Sequence, residues 1–498
     1  MILTKTDYLI YRDCPKNAWL KIHKNEEVYK QYPPSEFEQM LFSVGNDIDE
    51  LARGLFPGGV LLKNPKDPKP TAKLIKDRAS ILYQPVFITD KYKALPDVLV
   101  WNSEVNAYDI YEVKSSTSGG NKKAKERDYA YDLAFQYLVL KESGVPLNKT
   151  YLVRLDSEYV RGDTLDIQAL FKQEDFSEQV QEIIPEVELE MVNVQKDLSV
   201  TEEPKGPCSC LVKGRNSHCS TFKYSNPDVP LYSVHDISRI GASKKKLAEL
   251  IDSGIFDIKD IPEDFKLSDI QRNQVDATQT GNVIVLKSEI DKFLSKIEYP
   301  ISFIDYETFP AAIPRFKGYS PFNQIPFQFS LHILNEGEKE LGHEEFLFLE
   351  STNPDLSFIK ALEEKLPKTG SIIVWNKGFE MGINKKLAVR SPEHTQLVDE
   401  INSRVVDLLD IFKDQFYIHP DFRGKTSIKY VLPALAPNLS YKDLGIQEGA
   451  TASNAWNDIA TGGEKEVEKK AKDLLEYCKL DTYAMYAIWK HCIDKINE

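Results

Sequence analysis

The chain has 498 residues, 42% hydrophobic and 28% charged, with a formal net charge of −14. At about 150 residues per domain that length implies about three domains, and the composition excludes disordered and fibrous classes. The acidic balance excludes a surface uniformly coated in basic groups, although a local basic track remains compatible with it. No apolar run approaches the roughly 20 residues that span a bilayer. Met1 to Leu20 carries Asp7, Arg12, Asp13 and Lys16 among its apolar positions, so no secretory leader is read there. The expectation is a cytoplasmic chain with no membrane partner. In that compartment the six cysteines are not expected to form a disulfide framework.

Taken in chain order, Glu36–Leu55 reads as an amphipathic helix ended by Phe56-Pro57-Gly58-Gly59. Ile81–Ile88, Asp97–Trp101 and Ala107–Lys114 read as short strands, Arg127–Leu140 as a helix, Lys149–Leu155 as a strand and Phe176–Val194 as a helix. A loop rich in Pro, Gly, Ser and Cys follows from Glu203 to Asn226. Val234–Gln274 reads as mostly helical with a break at Ser253-Gly254, and a strong strand pattern opens at Ile301. The predicted organisation is a mixed α/β domain over 1–225, a helical connector over 226–290 and a second α/β domain over 291–498.

The segment LPDVLVWNSEVNAYDIYEVKSS predicts a hairpin. Asp97 opens one strand, and Glu112 and Lys114, two apart on the next, share a face opposite Val113. Asp97 and Glu112 can hold one hard cation such as Mg²⁺ or Mn²⁺ through oxygen, with Lys114 orienting a water or stabilising charge on a phosphate. This pattern resembles the PD-(D/E)xK nuclease superfamily, in particular its RecB-like branch, which includes the iron–sulfur nucleases of CRISPR adaptation. The resemblance implies a restriction-endonuclease-like fold and adds Gln136 on the following helix. Where that branch has G-x-x-x-H, this chain has Gly45 followed by Asp49, with Glu50 beside it.

Cys14 precedes this region, and Cys208, Cys210 and Cys219 follow it. Thiolate clusters select iron–sulfur or zinc. One Cys before the core and three after it resembles the RecB-like arrangement, which implies a [4Fe–4S] cluster. His218 adjoins Cys219, so a Zn²⁺ site including His stays open. Cys478 and Cys492 read as helix-packing residues.

In the third region, ISFIDYETF sets Asp305 and Glu307 on one strand face with Tyr306 opposite. Asn376 to Glu380 open a helix, and in LLEYCKLDTYAMYAIW Tyr477 and Asp481 stand four apart on one helix face. Asp305, Glu307, Glu380 and Asp481 can converge on two divalent metals, with Tyr477 orienting a water. Asp407 is a candidate accessory ligand. The order resembles the tyrosine variant of the DEDD exonucleases, with Glu380 where that family has Asp, and implies an RNase-H-like fold and trimming from a 3′ end. Basic groups at Lys63, Lys66, Lys69, Lys73, Lys76 and Arg78, at Lys122, Lys123, Lys125 and Arg127, and at Arg423, Lys425 and Lys429 are candidate phosphate contacts. The rings of FKGYSPFNQIPFQFSLHI are candidates for base stacking or for plain core.

Over nearly its whole length the chain resembles bacterial fusion proteins that join a RecB-like iron–sulfur nuclease domain to a DEDD-like exonuclease domain. The resemblance implies hydrolysis of DNA or RNA phosphodiesters, with single strands or ends as the partner. The alternative is a catalytically weak, metal-stapled nucleic-acid-binding module.

Overall fold

In a computed structural model the chain is described at every residue except 119–122 and 464, and the side chains of residues 36, 37, 123–125 and 244 are also outside the description. Lys122 and the side chains of Lys123 and Lys125, named above as a basic cluster, fall outside the described residues. The chain is mixed α/β and forms two compact units: Met1–Pro227 with Ala312–Asn323, and Asp228–Ala311 with Gln324–Glu498. Among the described residues no helix is long and apolar enough to cross a membrane.

The first unit opens with helices α1 (Lys5–Asp13), α2 (Pro15–His23) and α3 (Glu36–Ala52). Ser35 and Glu38 cap α3 reciprocally. Strands β1 (Val60–Leu61), β2 (Ile81–Tyr83), β3 (Val98–Asn102) and β4 (Ala107–Thr117) follow, then α4 (Lys123–Glu142), β5 (Leu147–Leu155), β6 (Phe171–Asp175) and α5 (Ser177–Leu198). The sheet runs β1 to β6 in chain order. β2, β3 and β4 form an antiparallel meander, and α4 crosses over so that β5 lies parallel to β4. The predicted strand Ile81–Ile88 is two strands: Gln84 takes φ 49° before Pro85, and Phe87–Ile88 pairs instead with Tyr92–Ala94. A left-handed residue followed by proline cannot continue a ladder.

Strand β4 is buried on both faces. Tyr108 and Ile110 join the core built on Ala130 to Leu140 of α4, while Tyr111 and Val113 face Ile48, Ala52 and Leu55. Glu112 and Lys114 continue the α4-facing parity.

In the second unit α6 (Lys244–Asp252) and α7 (Asp269–Thr280) precede α8 (Lys287–Leu294). The break falls at Ser253-Gly254 as read, with Gly254 at φ 71°, but beyond one 3-10 turn at Ile258–Asp260 the α-helix resumes only at Asp269, where Ser268 supplies a cap. Residues 228–290 pack into this unit: Ile284–Val285 pairs with Tyr417–Ile418, and Asn273 donates to Gln415 Oε1 at 2.9 Å. The unit then holds β7 (Ile301–Ala311), β8 (Asn323–Leu334), β9 (Gly342–Leu347), α9 (Asp355–Lys365), β10 (Ile372–Val374), α10 (Lys377–Arg390), α11 (Thr395–Ser403), β11 (Val405–Asp407), α12 (Ile428–Leu435), α13 (Gly449–Ala460) and α14 (Val467–Asn497). Its sheet order is β9-β8-β7-β10-β11, with β10 parallel to both its neighbours and β9 antiparallel to β8. Central β7 is again buried on both faces. Ile301 and Phe303 meet Met485, Ile488 and Trp489 of α14, while Ile304 and Tyr306 meet Phe358, Ile359 and Leu387. Phe327 and Phe329 of the aromatic segment are fully buried, so these rings are core and not stacking platforms.

Candidate metal and carboxylate centres

Each unit uses strand parity to bring charge into a place that apolar packing has prepared. In the first unit, Glu112 points at α4 and meets Gln136, whose Nε2 donates to Glu112 Oε2 at 2.7 Å. Lys114 Nζ lies 2.6 Å from Glu112 Oε1. Asp97, just before β3, accepts from the Val113 amide at 2.7 Å, and burial followed by the nearby Glu112 charge pushes its carboxyl well above the usual range. The Glu112 carboxyl is pulled down by Lys114 and Lys5 against its own burial. Glu112, Lys114 and Gln136 therefore meet, while Asp97 is held by the Val113 backbone beside them. Asp49 also faces this neighbourhood and adds to the upward push on Asp97, but its Oδ2 is held by Arg53 at 2.5 Å and Gln84 at 3.0 Å. Glu50 is exposed.

Two residues of this centre were missed by sequence reading. Lys5 Nζ lies 2.6 Å from Glu112 Oε1, across 107 positions of chain. Asp132 accepts from Lys114 at 2.5 Å and from Gln136 at 2.9 Å. Asp132 had a signal, since it stands one helical turn before Gln136. Lys5 had none.

Cys14, Cys208, Cys210 and Cys219 are buried, and their sulfurs lie within 4.8 Å of one another. Cys14 is drawn in from the junction of α1 and α2, whose first helical position is Pro15. Cys208 and Cys219 are 4.0 Å apart, and Asn226 Nδ2 donates to the Cys208 sulfur at 3.2 Å. Hydrogen bonding among the thiols pulls Cys14 well below and pushes Cys219 well above the ordinary thiol range. Crowded buried thiols cannot all ionise without a cation, and the four together can hold a metal ion. His218 stands outside the group: its Nε2 hydrogen-bonds the Lys213 carbonyl at 3.0 Å and its ring stacks on Phe222.

In the second unit Asp305 and Glu307 extend the α14-facing parity of β7. Leu474, Tyr477, Cys478, Asp481, Met485 and Ile488 recur at helical spacing on α14, so the carboxylate and phenol replace apolar positions of one buried stripe. Burial, then Asp481 and Glu307, push Asp305 well above the usual carboxylate range. Glu307 is pushed up by burial and Asp481, Glu380 to about 8 by burial and Asp407, and Asp481 to about 6 by burial. The buried Glu380 Oε2 has no hydrogen-bond partner. Tyr441 donates to Asp481 Oδ1 at 2.5 Å, Tyr477 also hydrogen-bonds Asp481, and Lys429 lowers both Glu307 and Asp481 by its charge. Among the described residues Asp305 and Glu307 share one close ligand group with Cys478, and Asp481 and Glu380 stand outside it; buried carboxylate oxygens of this kind suit hard divalent cations.

Cys478 does more than pack the helix. Its sulfur lies within 4.8 Å of a carboxylate oxygen of both Asp305 and Glu307 and donates to the Asp305 carbonyl at 3.7 Å. Cys492, as read, is buried among Trp489, Ile488 and Leu294. Asp407 is not shaped as a ligand: Oδ1 accepts from the Asn376 amide and Oδ2 from the Lys377 amide, each at 2.9 Å, so it anchors the start of α10. Asn376 needs that anchor because it sits at φ 88°. The basic residues Lys63, Lys66, Lys69, Lys73, Lys76 and Arg78 are exposed, and Arg127 pairs with Tyr131 and Glu186.

Residues 302–427 match the family model described as Domain of unknown function (DUF2779). That span includes Asp305, Glu307 and Glu380 and stops short of Tyr477 and Asp481. No curated protein and no solved structure matches the chain.

Proposed function

We propose that the chain is a divalent-metal-dependent nuclease that hydrolyses DNA or RNA phosphodiesters, with the second unit trimming from a 3′ end. The observation that carries this reading is the buried pair Asp305 and Glu307, whose oxygens lie within 4.8 Å of each other and of the Cys478 sulfur, with the charges of Asp481 and Glu380 acting on Asp305 from beside them. Holding such groups together is costly unless a cation joins them. The sheet order β9-β8-β7-β10-β11, with the first carboxylates on its central strand, supports an RNase-H-like reading of this unit. The meander, crossover helix and parallel β5, with Asp97, Glu112 and Lys114 at its middle, support a PD-(D/E)xK reading of the first.

When bound, Mg²⁺ or Mn²⁺ supplies Lewis acidity and a water of lowered pKa. Asp305 and Glu307 would hold it from the strand and Asp481 from the helix, and Glu380 would offer its orphaned oxygen. Tyr477, kept protonated by burial and by Asp481, can turn its single O–H from Asp481 to orient water or a phosphate oxygen. Lys429 adds one positive charge at the rim.

For the four thiols we infer a single tetrahedral ion, Zn²⁺, in preference to [4Fe–4S]. Zinc–sulfur bonds of about 2.3 Å set neighbouring sulfurs about 3.8 Å apart, close to the 4.0 Å between Cys208 and Cys219. A cubane holds its four thiolates roughly 6 Å apart, because iron and sulfide stand between them, and all four sulfurs here lie within 4.8 Å. Metal analysis of anaerobically purified chain decides: about one zinc per chain supports this reading, and a brown protein rich in iron and sulfide refutes it.

The activity test uses single-stranded DNA and RNA labelled separately at each end, with Mg²⁺ or Mn²⁺. Stepwise shortening from the 3′ end that disappears in Asp305→Asn with Glu307→Gln, and persists in Glu112→Gln with Lys114→Ala, is the expected result. No cleavage with either metal, while binding persists, leaves the metal-stapled binding module. For the first unit that second reading has a specific support: both Glu112 oxygens are occupied by side-chain donors.

A further inference from the structure

Helix α1 delivers an ammonium group into the first centre. Lys5 Nζ lies 2.6 Å from Glu112 Oε1 and 3.1 Å from Asp132 Oδ1. Lys114 reaches the same two carboxylates at 2.6 and 2.5 Å. Gln136 takes the other Glu112 oxygen at 2.7 Å and Asp132 Oδ1 at 2.9 Å. Among the described residues, Asp97 and Glu112 belong to no group of three ligand-type side chains within 4.8 Å, whereas Asp305 and Glu307 do. An ammonium and a hard cation seek the same carboxylate lone pairs.

We propose that Lys5 is a positioning residue of the first centre that competes with a divalent cation for Glu112, and yields it when a phosphate draws the ammonium away. The proposal rests on reading the first unit as a phosphodiester site. The geometry favours a moving side chain on a fixed backbone. Leu3 and Thr4 pair with Tyr92 and Lys93, the Thr4 side chain accepts from the Asp7 amide, and Lys21 holds Asp7 at 2.8 Å. Asp7 thus has its own cation and does not anchor Lys5. The side chains of Glu112 and Asp132 are 2% and 5% exposed, while that of Lys5 is 23% exposed. The Lys5 side chain, partly exposed like that of Lys114 at 22%, reaches the buried carboxylates on a flexible four-carbon stem with three rotatable donors. An anionic phosphate arriving from solvent meets Lys5 before it meets Glu112. Withdrawal of Lys5 removes a positive charge from beside Glu112 Oε1 at the moment the substrate is in place, so cation binding becomes dependent on substrate. Lys114 lies 2.5 Å from Asp132 against 3.1 Å for Lys5, so Lys114 is the more closely held of the two.

The test reads Mn²⁺ affinity by titration calorimetry or electron paramagnetic resonance on the full chain carrying Asp305→Asn and Glu307→Gln, so that the first centre is observed alone. In that background Lys5→Met tightens Mn²⁺ binding about tenfold or more, because a like charge within a few ångströms of the cation is gone. Lys5→Arg keeps the charge and stays near the parent, and adding Glu112→Gln to Lys5→Met abolishes the gain. A short phosphorothioate-blocked oligonucleotide tightens Mn²⁺ binding in the parent and not in Lys5→Met. Mn²⁺ binding that depends on Glu112 but is unchanged or weakened by Lys5→Met overturns the competition and leaves the metal site standing. Absence of Mn²⁺ binding in every variant, with circular dichroism confirming folded protein, overturns both the competition and the metal-dependent reading of this unit.

Discussion

Replacing Asp481 by Asn tests whether the second centre is built for a cation at the expense of the metal-free fold. Asp481 is pushed from 3.8 to about 6 by burial, even with hydrogen bonds from Tyr441 and Tyr477 in its favour. At about 1.4 kcal/mol for each tenfold change in proton affinity, keeping it ionised in the folded chain costs about 3 kcal/mol at neutral pH. Asn keeps a side-chain carbonyl to accept from the Tyr441 hydroxyl and removes the charge that also pushes up Asp305 and Glu307. In a unit of this size about 1 kcal/mol moves the melting temperature by about 2–4 °C, so Asp481→Asn raises it by about 6–12 °C in chelator at pH 7.5. The sign follows from linkage: a folded pKa above the unfolded one gives stability that is complete below pH 3.8 and lost as pH rises through about 6. The gain therefore shrinks toward zero as pH falls to about 4. Saturating Mn²⁺ reverses the order, since it stabilises only the chain that binds it, and the cleavage proposed for the second unit is lost. A variant no more stable than the parent in chelator at pH 7.5, or equally favoured at pH 4 and 7.5, refutes the reasoning.

Cys14→Ser removes one of the four thiols that together can hold a metal ion and frees the end of α1. We expect loss of the bound metal, a fall of several kcal/mol in the stability of the first unit, and faster amide hydrogen exchange across Lys5–Asp13. Asp407→Ala leaves the Asn376 and Lys377 amides without their acceptor. The expected cost is about 1–3 kcal/mol in urea unfolding, with cleavage by the second unit reduced because Glu380 stands on the same helix turn. Arg390 and Asp355 form a buried pair with both side chains at 6% exposure or less. Arg390→Leu should destabilise by about 3–5 kcal/mol, and Arg390→Leu with Asp355→Leu should recover most of that loss.

Much of both carboxylate centres was legible because it follows local periods. Parity on β4 places Glu112 with Lys114, parity on β7 places Asp305 with Glu307, and a one-turn separation on α14 aligns Tyr477 with Asp481. The four cysteines were legible by chemistry alone, as soft donors flanking one region. What escaped has no period. Lys5 reaches Glu112 across 107 positions, and Tyr441 reaches Asp481 across 40 from a segment with no regular structure. Cys478 is buried in the helix stripe as read, but helical spacing does not reveal that its neighbours on β7 are acids. Asp407 reads as a ligand by charge and order, and becomes an anchor only once the positive φ of Asn376 is known. The strand break at Gln84 likewise turns on a single backbone rotation.

The two units are interleaved along the chain. Residues 312–323 lie between β7 and the body of β8, yet they complete the first unit: Ala312 is buried with Val113 and Leu155, and Arg161 donates to the Pro314 carbonyl at 2.7 Å. A cut anywhere in 226–290 therefore cannot release two finished halves. The N-terminal product lacks the plug that seals its core, and the C-terminal product carries that plug as an orphan loop. Gene fragments ending near residue 225 should yield aggregating protein unless a peptide spanning 312–323 is supplied in trans. By the same logic, the first unit cannot close its core during synthesis until the ribosome has passed residue 323, well into the coding region of the second.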